Sequence, residues 1–557
     1  MRIKSIFALV LLVFSTAAFA KTTNQQLVIG ATQEFDTLNP MISQMAQTYY
    51  IQEMLRRQLT NIDADWKWVC RLCTQIPTFK NGMVKKITEH GKEKLLVTWE
   101  LQPNTKWGDG TPLTGYDVKF SWQVGLAPTV SVGEREQYTQ IEAITVDEKN
   151  PRRFTMKFDK PRYDYYQLGT FYIIPKHLEE PIFQKTKGEV GAYEKQSLYV
   201  LNPTNPGLYY GPYVVSEVKL GSHLTLIPNS YFHGEKPKIQ KIIFKMIPNS
   251  QALEANLRSG SIDMIHEVAD FTLDQAISLE KRLKADAPYE VLYRAGTVFE
   301  HIDLNLRNEV LQEARVRKAL LYGIDREKLV QALFEGKYTV ARHRVHPLDP
   351  NYSEKAFHYS YDSEKAKALL EEAGWQQSSD GIRSKEGKKL SFVLMTTAGN
   401  KMRELVEVYL KEEWKKIGVD MQIKNEPARV FFGETVRKGE YPHMAMFAWI
   451  SSPDNVNDST LHSKNIPTAA NGYSGQNTGA WGNAKMDQLL DSIYIVFDAA
   501  KRKKIWEEMM IVEMNDLPTI PLYFRSQIAV VPRNLENFRI TGHQFYSSVE
   551  VEKWDLE

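Results

Sequence analysis

Two cysteines, one histidine pair and two acid-bearing loops are the groups in this chain whose type and spacing could do chemistry. Cys70 and Cys73 stand in Trp68-Val69-Cys70-Arg71-Leu72-Cys73. A redox role would want such a pair at the start of a helix in a thioredoxin-like unit. Pro77 follows soon after, and no such unit is evident. A zinc site would want two further Cys or His ligands at similar spacing, and none stands nearby. In an oxidising compartment the close pair reads as a small structural disulfide, with free thiols and redox or metal work as the alternatives. His343 and His346 flank Arg344, with Arg342 just before them. Two arginines would repel a cation, so these histidines read as surface or hinge polar residues rather than metal ligands. No G-x-S-x-G elbow, H-E-x-x-H, Walker loop or G-x-G-x-x-G is present. With 68 acids in the chain, no carboxylate pair can be singled out for glycoside hydrolysis. No catalytic residue, metal site or cofactor is assigned.

The two loops are placed by the elements before them. Leu27-Val28-Ile29-Gly30-Ala31 is a short apolar run that opens into Glu34-Phe35-Asp36-Thr37-Leu38-Asn39-Pro40. His443 to Ile450 is a second apolar run, predicted as a buried strand, and a turn-rich segment from Ser451 to Gly482 follows it. Strands alternate with helices in both halves of the chain, which predicts α/β lobes with largely parallel sheets. In such sheets a ligand sits beyond the carboxyl ends of strands. Residues 34–40 and 450–458 hold those positions in opposite halves, so two lobes would bring them face to face across a cleft. If a ligand with a charged amine were closed into that cleft, it would need a carboxylate partner. Asp454, Glu34 and Asp36 are the positional candidates, Asp454 first.

Other boundaries are set by turn and cap chemistry. Thr114 lies three residues before Asp117, the spacing of a capping box. Asp325 and Asp362 are placed to start helices that Gly336 and Gly374 stop. A last helix is predicted over roughly 484–515, its Lys501-Arg502-Lys503-Lys504 run on a solvated face. The Asn-, Pro-, Gly- and Tyr-rich stretch from Leu198 to Pro212 is the best internal boundary.

The first twenty residues carry Arg2 and Lys4, an apolar run from Ile6 to Phe14, and Ala18-Phe19-Ala20. This is the layout of a secretory signal cleaved after Ala20. Nine apolar residues are too few to span a bilayer, which needs about 20. Export to a bacterial periplasm is expected. The formal charge of +2 comes from 70 basic and 68 acidic residues, and loss of Arg2 and Lys4 leaves 68 against 68. A neutral mature chain has no general electrostatic reason to bind nucleic acid or acidic lipid. At 43% hydrophobic and 25% charged, composition excludes a disordered chain and a multi-span membrane protein.

Several segments together carry a resemblance. The run from Trp107-Gly108-Asp109-Gly110-Thr111-Pro112 through Asp117-Val118-Lys119-Phe120-Ser121 resembles a signature of the family 5 extracellular solute-binding proteins. These are the dipeptide and oligopeptide receptors of ABC importers. Gly211-Pro212-Tyr213 with Asn229-Ser230-Tyr231-Phe232, and Leu257 to Asp263, are similar to further motifs of that family. So are Val316-Arg317-Lys318-Ala319-Leu320 with Ile324-Asp325-Arg326, and Tyr361 to Trp375. The motifs fall in the family's order over about residues 27–540.

The resemblance implies an α/β, three-lobe hinged periplasmic-binding-protein fold (type II, cluster C-like), with two main α/β lobes and an inserted lobe. Residues 1–20 would be the signal peptide, 21–62, 207–297 and 517–557 lobe I, 63–206 the inserted lobe II, and 298–516 lobe III. Two segments near Thr297–Asp303 and Leu517–Leu522 would form the hinge. The implied ligand contacts are Glu34, Phe35 and Asp36 on one loop and Trp449, Ser452 and Asp454 on the other. In peptide-binding members an Asp after the strand-ending Trp pairs with the peptide amine. Aligned from Trp449, Ser452 takes that place here, and Asp454 belongs to the tail of the loop. The implied function is capture of a solute, a peptide in the family's pattern, and its delivery to ABC permease subunits by a monomer that performs no chemistry. A non-peptide ligand such as an oligosaccharide or metal chelate is the alternative within the class, and a secreted hydrolase the rival outside it.

Overall fold

The computed structural model describes residues 26–557 apart from Gln44, Glu134, Asp270, Phe357, Gly472 and Ser474. The expected export signal and its cleavage site lie outside the described residues. One sheet of eleven strands runs through the molecule. Its strands are β1 (Gln26–Ala31), β2 (Tyr213–Lys219), β3 (His223–Pro228), β4 (Lys241–Met246), β5 (Met264–Ile265), β6 (Tyr289–Leu304), β7 (Ser391–Met395), β8 (Asp420–Ile423), β9 (Met444–Ile450) and β10 (Thr519–Pro532). Their order across the sheet is β8-β7-β9-β6-β10-β5-β1-β4-β3-β2, with the short strand Thr339–Val340 added to β10. A separate four-stranded antiparallel sheet is built from residues 84–89, 92–100, 141–146 and 153–158.

The sheet is mixed rather than largely parallel. β1 runs parallel to β4 and β5, and β7 runs parallel to β8 and β9. The pairs β2–β3, β3–β4, β5–β10, β6–β9 and β6–β10 are antiparallel. The expectation of largely parallel sheets fails for two reasons. A short turn joins β2 to β3 and a helix-free loop joins β3 to β4, so neither pair has the crossover that parallel neighbours need. The two longest strands, β6 and β10, cross the molecule in opposite directions.

Those two strands place the loops. β6 runs from the β1 side of the sheet toward β9. β1 is parallel to β6, because β5 and β10 reverse direction twice between them, whereas β9 is antiparallel to β6. The carboxyl ends of β1 and β9 therefore run in opposite directions toward the same level of the sheet, with β6, β10 and β5 between the two strands. Gly30 is level with Val291 through Ile265 and Val530, and Ile450 is level with Val298. Both ends thus lie level with one short stretch of β6, which borders β9 and is separated from β1 by β10 and β5, and there the β6–β10 register shifts between Ala295 and Val298. Gly296 sits in that shift. A Cβ on it would lie 2.8 Å from the Arg525 carbonyl oxygen and 3.2 Å from that of Gly542, so the close backbone approach requires glycine.

Local signals hold at several places. Thr114 and Asp117 form the capping box of helix Gly115–Leu126. Asp325 accepts from the Lys328 amide at 2.9 Å, and Asp362 from the Lys365 amide at 2.9 Å. The apolar run after His443 is β9, and its Met444 to Phe447 are buried. The single helix expected over 484–515 is instead two, Ala484–Ile493 and Ala499–Asp516. Asp498 explains the break, because its side chain caps the second helix through the Lys501 amide at 2.8 Å. The break also frees the Tyr494 carbonyl, which accepts from the Tyr163 amide at 2.7 Å. No helix among the described residues is long and apolar enough to cross a membrane.

Candidate functional site

The loop after β9 carries Ser452 and Asp454 to the edge of a cavity of about 230 Å³. Its walls come from six separate parts of the chain, three of them supplying most of the lining. Tyr163, Asp164, Gln167 and Thr170 stand on one side, Ser452, Asp454 and Asn455 on another, and Gln544 and Phe545 close it. Asp454 has φ of +61°, a left-handed conformation that Asp tolerates better than most residues. Its carboxylate accepts from Gln167 Nε2 at 2.6 Å and from Asn351 Nδ2 at 2.7 Å, and the Tyr163 hydroxyl stands 3.5 Å away. The Asp454 amide donates to Asp349 Oδ2 at 2.8 Å. The Asn351 amide donates to the other oxygen of Asp349, also at 2.8 Å.

Every one of these side-chain donors is neutral, and no lysine or arginine lines the cavity among its described residues. Burial, and then the charge of neighbouring Asp349, push the Asp454 carboxyl up to about 7. Asp349 is also raised, by burial. Arg502 is the opposing charge that acts on it, and it lies over the Tyr163 ring, 4.2 Å from its centroid. Asp164 is already matched, since Arg162 grips both its oxygens at 2.5 Å. Asp454 is therefore the underpaired acid of this cavity. It favours a positively charged hydrogen-bond donor.

Trp449 is the penultimate residue of β9 and is half-buried. It meets Phe447 edge to face at 5.4 Å and lies nearly parallel to the His301 ring at 6.4 Å. It lines a void of about 20 Å³ together with Asp303, Arg344 and Thr478. A further void of about 20 Å³ lies between that one and the Asp454 cavity. Arg344 borders the two small voids, and Ser452 and Asn455 border the middle void and the cavity. Arg344 donates to Glu513 at 2.6 Å and to the Thr460 hydroxyl at 3.0 Å.

The loop after β1 does not reach the Asp454 cavity. The Asp36 carboxylate accepts from the Thr37 amide and the Ser43 and Thr48 hydroxyls, at 2.8, 2.6 and 3.0 Å, so it braces its own loop. Glu34 is exposed and accepts from the Gly221 amide at 2.7 Å. Phe35 packs, half-buried, against the core that holds Leu38 and Tyr50. Cys70 and Cys73 are joined, their Cα atoms 5.2 Å apart. The pair ends the small hairpin in which Thr60–Ile62 pairs with Trp68–Cys70, and Trp68 lines the Asp454 cavity.

Of the reading of His343 and His346 as surface or hinge polar residues, the surface alternative is corrected. They are 1% and 4% exposed. His343 packs on Tyr352, and His346 packs between Trp66 and Phe524. Sequence reasoning also missed Tyr163, Gln167, Asp349 and Asn351. Only their distance from Asp454 in the chain explains this, because nothing local marks Gln167 as a neighbour 287 residues away.

Comparison with known proteins bears on what such a cleft is for. A family model described as "Bacterial extracellular solute-binding proteins, family 5 Middle" matches residues 78–471, well over half the chain. The oligopeptide-binding protein AppA of Bacillus subtilis is 27% identical over 542 residues, covering 95% of this chain and 91% of its own. The solved structure of an oligopeptide-binding protein from Thermus thermophilus, complexed with a pentapeptide, superposes with a TM-score of 0.69 at 28% identity, covering 95% and 96% of the two chains. NikZ from Campylobacter jejuni, solved with Ni(L-His), has a TM-score of 0.71 at 22% identity over 96% and 100%, which speaks to fold alone. The crossing strands, the mixed sheet and these matches agree that the chain belongs to the family 5 bacterial extracellular solute-binding proteins and has their type II periplasmic-binding-protein fold.

Proposed function

We propose that this protein is an extracytoplasmic receptor that captures a peptide between its lobes and delivers it to an ABC permease. The supporting observation is the cavity at Asp454, walled from distant parts of the chain with no lysine or arginine among its described residues. A peptide offers an ammonium group at one end, and Asp454 is the acid with neutral partners that can meet it. The lobes are 21–62 with 207–297 and 517–557, then 63–206, then 298–516, hinged where β6 and β10 cross. At about 230 Å³ the cavity is below the ~300–1000 Å³ of typical ligand pockets, so entry of a peptide requires the lobes to part. Work is done by the difference in ligand affinity between open and closed states. Trp449 and Ser452 belong to the ligand wall with Asp454. The loop at Glu34, Phe35 and Asp36 forms the opposite rim, with Asp36 shaping the loop rather than pairing with a charge. Export is by the cleaved segment 1–20, the receptor acts as a monomer, and the peptide is returned unchanged.

Calorimetry with tri-alanine and its N-acetyl form tests this reading. The free peptide should bind and the acetylated one should bind much more weakly. Mass spectrometry after incubation should recover tri-alanine intact. Equal binding of the two forms would remove the amine pocket, and cleavage would make the protein an enzyme.

A further inference from the structure

The histidine pair has a property that the peptide reading does not use. In each ring Nδ1 accepts a backbone amide two residues on, Val345 at 3.2 Å for His343 and Leu348 at 3.0 Å for His346. That contact holds the proton on Nε2, which makes Nε2–H a donor. The Nε2 atoms of both His343 and His346 have no hydrogen-bond partner among the described residues, although both rings are buried. A buried donor without an acceptor is costly and calls for a specific explanation.

The two rings differ in what they face. His343 sits against Tyr352, 4.9 Å between centroids, with the Ser353 backbone beside it. His346 borders the middle void of about 20 Å³, with Arg344, Asp349, Ser451, Ser452 and Asn455 around it. A void of that size has room for one oxygen-sized group and little more. Trp66 and Phe524 hold the imidazole, with centroids 5.0 and 4.6 Å away. Burial, helped by Arg294, pushes its pKa down to about 4, so the ring is neutral near pH 7 and keeps one donor. Ser452 and Asn455 also border the cavity of Asp454. A donor lacking an acceptor and a carboxylate lacking a cation therefore lie on the two sides of Ser452.

We propose that His346 is a ligand-binding residue whose Nε2–H donates to a carbonyl or carboxylate oxygen of the bound solute, next to the ammonium group held by Asp454. The ligand class is then an α-aminoacyl compound, gripped by the amine and the first carbonyl, which leaves its side chain and its length free. This rests on the peptide reading and adds the second point of attachment. A lone ammonium would leave the donor unmet, and a blocked amine would leave the acid unmet.

Tri-alanine binding by calorimetry to the wild type, His346→Phe and His346→Gln tests the assignment. Phenylalanine keeps a ring between Trp66 and Phe524 and deletes the donor, and glutamine keeps a donor at similar reach. The expected result is a loss of about tenfold for the Phe variant, the scale of one neutral hydrogen bond with its partner left unmet. The Gln variant should recover much of it, while the thermal midpoint of empty His346→Phe stays at or above wild type. Nitrogen-15 spectra of the wild type give a second measurement that needs no variant. The His346 Nε2–H resonance should shift and exchange more slowly with water on saturation by tri-alanine. Equal affinity of wild type and His346→Phe, a Gln variant as weak as Phe, or an unmoved resonance would overturn the proposal and leave the peptide reading standing. Failure of the wild type to bind tri-alanine at any pH would end both.

Discussion

Replacing Asp454 by Asn should push two measurements in opposite directions. The wild-type carboxyl is raised to about 7 in the folded protein, against about 3.9 for an unperturbed Asp. That difference of about three units, at 1.36 kcal/mol each, sets an upper bound of about 4 kcal/mol on the cost of holding the charged form in place. Relaxation of Gln167 and Asn351, both amides that can turn, brings a realistic figure to about 1–3 kcal/mol. The sign follows from proton linkage. A folded acid with a raised pKa binds its proton more tightly than the unfolded chain does. Its contribution to stability is therefore present below about pH 4 and lost as pH rises through 7. Asn does not titrate. Empty Asp454→Asn should thus be more stable than wild type at pH 8 by about 1–3 kcal/mol, and this advantage should vanish near pH 4. Urea midpoints by tryptophan fluorescence at the two pH values read the difference. The same variant should bind tri-alanine more weakly by about 2–5 kcal/mol, the scale for losing one partner of a buried charge pair. N-acetylated tri-alanine should then no longer be at a disadvantage. A variant that is less stable than wild type at both pH values would mean that Asp454 is a structural acceptor, and the argument for an ammonium site would fall with it.

Ligand saturation should shrink the radius of gyration in small-angle scattering and raise stability by about 2.7 kcal/mol at a hundredfold excess over Kd; an unchanged radius at saturation would refute closure about β6 and β10. Gly296→Ala should lower stability by about 1–3 kcal/mol, because its methyl group meets the Arg525 carbonyl at 2.8 Å; a neutral effect in thermal melts would show that the crossing can move apart freely. Joint replacement of Cys70 and Cys73 by Ser should cost about 2 kcal/mol or less, since the closed loop is very short, and should leave tri-alanine affinity within about twofold, because the Thr60–Cys70 ladder still holds Trp68; a large affinity loss would make the disulfide part of the site. His343 is pushed down to about 4 by burial, so its share of stability is present above pH 6.5 and lost as pH falls toward 4. His343→Phe should flatten the acid side of the wild-type stability curve in that window, and an unchanged curve would show that the ring is solvated.

What can be read from the chain alone is local or directional. The apolar run after His443 is a buried strand, and Asp325 and Asp362 cap helices, because those outcomes depend on neighbours within a few residues. The strands before residues 34–40 and 450–458 do run toward one level of the sheet from opposite directions, but the loop after β1 does not reach the Asp454 cavity. The largely parallel sheet that would set the two loops face to face does not hold. The opposed strand directions survive because two reversals between β1 and β6 restore the direction that a parallel sheet would have had.

The site is less legible because its chemistry is assembled from distant residues. Position alone singles out Asp454, but its character as an underpaired acid depends on Gln167, Asn351 and Asp349, which no periodicity connects to it. Asp36 has the same side chain in an equally promising loop, yet two hydroxyls and an amide within twelve residues occupy it. The histidines show the same limit from the other side. Flanking arginines argue against a metal and also suggest solvent, whereas Arg344 pairs with buried Glu513 and draws His346 inward with it. A charged neighbour in sequence is evidence of exposure only while its counter-ion is unknown. Once Glu513 is placed, the motif Arg342-His343-Arg344-Val345-His346 becomes a way of delivering a neutral donor to the ligand cleft, and the arginine that seems to exclude a site is what anchors it.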